Sequence, residues 1–122
     1  MYYNRMNWEN LAPDIHRQRM VLEGVLLEPF NPVDMVNYCN GISRVLNMTP
    51  VGKPKTDFAE DYGWCCFMHW KESGMHIYGW DRRHPPFFSI DIYTCKEFKY
   101  EKAVEYTEDF LGKNLIKLVW KE

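Results

Sequence analysis

Strand-like and helix-like segments in the order strand, helix, strands, strand, helix, strand predict an α+β domain, a two-layer sandwich whose mainly antiparallel sheet carries two helices on one face. Three observations lead there. The strands are clustered between the helices, which favours hairpins over parallel crossovers. Each helix has one apolar stripe and needs one sheet face to bury it. The 122 residues leave room for a single domain, 1–122, with a single core. Aromatic side chains fall on both faces of several strands, so the second sheet face calls for a second copy, a homodimer joined through the sheets.

Residues 1–17 have no sustained period and contain Pro13, which marks an N-terminal arm lying over the surface or over a partner subunit. Arg19 to Glu28 alternates as the first strand, with Val21, Glu23, Val25 and Leu27 on one face and Met20, Leu22, Gly24 and Leu26 on the other. Glu23 is an acid inside an apolar strand. That position suits an edge, a hydrogen-bonded pair or a binding role. Asn31-Pro32-x-Asp34 starts a helix, with Asn31 as the cap, proline at the first position and Asp34 at the positive end of the dipole. Val33, Val36, Cys39, Ile42 and Leu46 give it a face to about Asn47. Residues 48–61, with Pro50, Gly52 and Pro54, form a short strand or a loop.

Tyr62 to Glu72 and Gly74 to Trp80 read as two strands joined by a tight connection at Glu72-Ser73-Gly74. A loop at 81–86 leads to a strand over Phe87 to Cys95, where Phe88, Ile90 and Ile92 alternate with Asp91, Tyr93 and Cys95. Tyr100, Ala103, Val104, Thr107, Phe110 and Leu111 form the stripe of a second helix, which Gly112 ends. Asn114 to Trp120 is the last strand.

The net charge of −2, with Lys and Arg scattered, gives no field to hold a polyanion, so nucleic acid is not expected as a partner. No apolar run is long enough to span a bilayer and the start of the chain lacks a signal-peptide core. A cytoplasmic protein without membrane association is the expectation. Cys39, Cys65, Cys66 and Cys95 lack Cys-x-x-Cys spacing, so they are read as thiols and no metal site is expected.

The chemistry lies in one stretch. Gly63-Trp64-Cys65-Cys66 is followed by Glu72-Ser73-Gly74-Met75-His76-Ile77-Tyr78-Gly79-Trp80-Asp81-Arg82, then by Asp91-Ile92-Tyr93-Thr94-Cys95. On these residues the chain resembles the prokaryotic S-adenosylmethionine decarboxylases. Their segment runs Gly-Val-Ser-Gly, Glu-Ser-His-x-Ser-x-His-Thr-Trp-Pro-Glu and Asp-x-x-Thr-Cys. The order agrees, with a short insertion between Trp80 and Cys95.

The resemblance implies a proenzyme that cuts itself between Glu72 and Ser73. The Ser73 hydroxyl would attack the Glu72 carbonyl, the ester would undergo β-elimination, and the new N-terminus would lose ammonia to leave a pyruvoyl cofactor. That ketone condenses with the substrate's amino group and accepts the electrons left when carbon dioxide departs, the role pyridoxal phosphate plays elsewhere. Cys95 matches the cysteine that returns a proton to the substrate carbon. The implied substrate is S-adenosylmethionine, and the implied product is the aminopropyl donor for spermidine.

Three departures are visible. Cys65 stands where the family has a serine, and Tyr78 where it has a histidine; a phenol is a much poorer base at neutral pH than an imidazole. His76, on the same strand face as Tyr78, is a candidate substitute. Asp81-Arg82 replaces Pro-Glu after the retained Trp80, whose ring suits a purine or a sulfonium cation, while Arg82 suits a carboxylate or solvent. The departures leave two alternatives beside S-adenosylmethionine decarboxylation: a pyruvoyl-dependent decarboxylase of another amino acid such as arginine or ornithine, and an uncleaved binding or regulatory homologue. Without the resemblance, Ser73-Gly74 is an ordinary hairpin turn and Cys95 a small side chain ending a strand.

Overall fold

The computed structural model describes residues 7–122; the first six residues of the arm lie outside the described residues. The elements are β1 (Gln18–Leu26), α1 (Pro32–Val45), β2 (Lys55–Ala59), β3 (Gly63–Trp70), β4 (Ser73–Trp80), β5 (Phe87–Thr94), α2 (Tyr100–Leu111), a 3-10 turn (Gly112–Asn114) and β6 (Leu115–Lys121). All six strands form one sheet in the order β2-β3-β4-β5-β1-β6, and every neighbouring pair is antiparallel. The α+β sandwich expected from the sequence is the fold observed.

The topology explains why both helices share a face. β2 to β5 run as a meander of hairpins. By contrast, β1 and β2 point the same way with three strands between them, and β5 and β6 point the same way with β1 between them. Each of those two links crosses over through a helix. Right-handed crossovers made in opposite lateral directions from oppositely directed strands put both helices on one side. There they touch: the Tyr38 hydroxyl of α1 lies 2.7 Å from Thr107 Oγ1, and the Tyr106 hydroxyl of α2 donates to the Tyr38 carbonyl at 3.2 Å.

Alternation sets the core. Met20, Leu22 and Leu26, Phe88, Ile90 and Ile92, Met75 and Ile77, and Cys66, Met68 and Trp70 point under the helices and are buried. Asn31 caps α1 by accepting the Asp34 N–H at 2.9 Å, with Pro32 in the first turn. The face of α1 that packs is Met35, Tyr38, Cys39 and Ile42; Val33, assigned to the stripe by spacing, is exposed. At about 100° per residue it falls on the side of the helix opposite to Met35 and Ile42. The strand limits also shift. β1 ends at Leu26 because Asn114 captures both backbone groups of Glu28 through its side-chain amide.

Among the described residues no helix or strand covers the other sheet face. Phe67, Tyr78 and Val119 lie on it partly or largely exposed. The arm from residue 7 to Arg17 has neither helix nor strand, and Trp8 and Leu11 on it are exposed.

Candidate active site

β3 and β4 are joined by a two-residue turn, Lys71-Glu72, with Trp70 opposite Ser73. The bend expected at Glu72-Ser73-Gly74 is thus one residue earlier, and Ser73 is the first residue of β4. Its φ is 129°, in the region that favours glycine. Holding a serine there costs on the order of 1–3 kcal/mol and needs support from its surroundings. Gly74 follows because a Cβ at that position would meet the Met68 carbonyl oxygen at 2.5 Å. The backbone is therefore strained on the C-terminal side of the Glu72–Ser73 bond.

The same bond is held from two sides. The Glu72 carbonyl accepts the Cys95 N–H at 2.8 Å. The Glu72 carboxylate accepts the Thr49 N–H at 2.9 Å and the Thr49 hydroxyl at 3.0 Å. These bonds, the backbone one foremost, hold the carboxyl below the usual range. Cys95, one residue beyond the Thr94 that pairs with Ser73, carries an exposed thiol.

A second group lies on the uncovered face. One cross-strand row runs Asp57, Cys65, Tyr78, Ser89, Glu23, and the next runs Phe67, His76, Asp91, Val21. The rings of His76 and Tyr78 stack at 4.2 Å and 11°. Burial pushes the Tyr78 phenol up, so it is still less able to act as a base at neutral pH. Burial pushes the His76 imidazole down, against the pull of Asp91, which favours its neutral form. The Cys65 thiol donates to the Asp57 carbonyl at 3.3 Å and is raised, chiefly by burial. Glu23 accepts the Ser89 hydroxyl at 2.9 Å. It is therefore the paired acid, and its strand is interior to the sheet.

Trp80 sits at the far end of β4, 5.2 Å from the Phe87 ring, beside a hollow of 230 Å³ that Arg83 also lines. Arg82 pairs with Asp61 at 3.3 Å, both side chains well exposed, an arrangement worth little. Another hollow, of 530 Å³, is walled by Arg19, Tyr93 and Tyr100 near the arm; neither Ser73 nor Cys95 lines it.

The structure thus divides the candidate residues instead of gathering them. Glu72, Ser73 and Cys95 meet at one end of the sheet. Cys65, His76, Tyr78 and Glu23 occupy the middle of the uncovered face, Trp80 the other end, and Arg82 none of these. Along a strand, Tyr78 is about 17 Å from Ser73 and Trp80 about 23 Å. Ser73 is also in register with Trp70 and Thr94, both buried under the helices, a parity opposite to that of His76 and Tyr78. Sequence spacing missed Thr49 and Ser89, whose roles arise from contacts across the fold.

The family of S-adenosylmethionine decarboxylases matches residues 30–119, from the start of α1 through most of β6. The chain belongs to that family, whose members are pyruvoyl-dependent decarboxylases. A comparison with curated proteins gave no match. No helix among the described residues is long and apolar enough to cross a membrane.

Proposed function

We propose that this protein is a proenzyme that cuts itself between Glu72 and Ser73 and then decarboxylates S-adenosylmethionine, supplying the aminopropyl donor for spermidine. The observation that carries the proposal is the bond itself: a serine strained at φ 129°, preceded by a carbonyl that already accepts an N–H from Cys95. In the first step the Ser73 oxygen bonds to the Glu72 carbonyl carbon, the C–N bond breaks, and the nitrogen takes up the proton. The developing oxyanion is the atom that the Cys95 N–H already addresses. Release of strain favours the ester. Elimination then frees the Glu72 carboxylate, and water replaces ammonia at the new N-terminus. A residue at such a bend suits a pyruvoyl group, which would supply the electron sink for loss of carbon dioxide. Cys95, beside it with an exposed thiol, would return the proton.

The distances along β4 argue that one copy does not make a whole site. A second copy placed face to face, about a two-fold axis across the strands, would bring its Tyr78 and Trp80 to the end of the sheet that carries the first copy's Glu72–Ser73 bond. The uncovered face, with Phe67, Tyr78 and Val119 exposed, is the surface that would be buried. Phe67→Asp should therefore convert a dimer to a monomer in light scattering and lower processing with it. A wild-type chain that scatters as a monomer at micromolar concentration would contradict this arrangement.

An uncleaved binding or regulatory role is favoured by one observation, the raised phenol of Tyr78 in place of an imidazole. The two readings part on Tyr78→His. A slow but competent proenzyme should gain roughly 10²-fold in cleavage rate, the usual worth of a general base, as followed on a denaturing gel. A chain built only to bind should gain nothing. Carbon dioxide release from S-adenosylmethionine, compared with arginine and ornithine, then identifies the substrate.

A further inference from the structure

The scissile hairpin is clasped by a segment that no catalytic motif includes. Leaving α1, the chain runs from Asn47 to Val51 alongside the end of β3. The Lys71 N–H donates to the Thr49 carbonyl at 2.8 Å, the Val51 N–H to the His69 carbonyl at 2.8 Å, and Pro50 bridges to Trp70. Lys96, next to Cys95, donates from Nζ to the Asn47 carbonyl at 2.6 Å and ties the strap to the end of β5. Thr49 lies at the centre of this strap. It holds both oxygens of the Glu72 carboxylate, one through its N–H and one through its hydroxyl.

We propose that Thr49 is a positioning residue for self-cleavage, acting through Glu72. The inference rests on the self-cleaving reading above. Attack by Ser73 moves the Glu72 carbonyl carbon toward a tetrahedral geometry, and the residue that carries it sits in a two-residue turn at the surface. Cys95 holds that residue at its carbonyl oxygen and Thr49 at its carboxylate. With both ends fixed, the peptide plane cannot rotate the carbonyl out of reach of the Ser73 oxygen, and orientation of this kind lowers a barrier without any contact with the reacting atoms. Hydrogen bonds to a charged acceptor are the strong ones, so the carboxylate at position 72 gives the strap a firmer hold than a neutral side chain would.

Thr49 is exposed, so Thr49→Val leaves the core untouched while removing only the hydroxyl bond. Self-cleavage should slow about tenfold in Thr49→Val, the scale of one charge-assisted hydrogen bond, and return to within about twofold of wild type in Thr49→Ser, which restores the hydroxyl. The thermal midpoint of the uncleaved chain should be unchanged in both. Equal rates for wild type and Thr49→Val would overturn the proposal, as would a Thr49→Ser variant as slow as Thr49→Val or a slowing matched by a fall in the midpoint. A wild-type chain that never cleaves would overturn the self-cleaving reading and this inference together, whereas cleavage indifferent to position 49 would overturn this inference alone.

Discussion

Ser73→Ala should leave one chain of 14.7 kDa that never divides and never acquires a carbonyl reactive toward hydrazine. The alanine lacks the oxygen that attacks the Glu72 carbonyl, and no neighbouring side chain stands in its place: Gly74 has none, and the Thr94 hydroxyl donates to the Lys96 carbonyl at 2.7 Å. The expected loss is complete, not partial. Folding should survive, because alanine meets the same backbone strain at φ 129° as serine does. Ser73→Gly supplies the contrast. It too cannot cleave, but glycine relaxes the bend and should raise stability by about 1 kcal/mol, measurable by chemical denaturation. A Ser73→Ala chain that still divided at the same bond would remove the hydroxyl from the account.

Trp70→Ala should produce the largest loss of stability, roughly 3–5 kcal/mol in urea unfolding, against the 5–15 kcal/mol that holds a typical domain together. The indole is fully buried between α1 and the sheet, and its N–H donates to Ser43 Oγ at 2.7 Å. The Ser43 hydroxyl in turn donates to the Cys39 carbonyl at 2.6 Å, so the ring closes a short chain of hydrogen bonds into the helix. Trp70→Phe keeps most of the apolar area and loses the N–H, for an expected cost of about 1 kcal/mol. The location matters for function as well. Trp70 is the residue opposite Ser73 and the one that Pro50 bridges, so it underpins the strained bend. Trp70→Ala should accordingly slow self-cleavage even where the chain remains folded, whereas Trp70→Phe should not.

The elements legible in the sequence were those with strong periodicity or a chemical stop. Asn31-Pro32 and Gly112 bounded the helices to within a residue or two, and alternation placed β1 and β5 on the correct faces. Less regular signals misplaced detail. Val33 continued an every-third-residue spacing, but at about 100° per residue it falls on the side of the helix opposite to Met35 and Ile42. Ser73-Gly74 carries the composition of a turn, yet the turn is Lys71-Glu72, because pairing of Trp70 with Ser73 and burial of the indole set the register. The motif located Glu72, Ser73 and Cys95, which do lie together. It also suggested that Tyr78 and Trp80 belonged beside them, and linear spacing along a strand conceals that five and seven residues mean about 17 and 23 Å. The grip of Thr49 on Glu72 links residues 23 positions apart through an irregular segment, and no local pattern encodes such a contact.

The central claim concerns one peptide bond, and intact-mass measurement of the wild-type chain over a long incubation tests it most directly. Two products are expected, ending at Glu72 and beginning at position 73, with a summed mass above that of the uncut chain by one water less one ammonia. A single undivided mass throughout, in a chain that remains folded, would contradict self-cleavage and leave the uncleaved, binding homologue as the function of this fold.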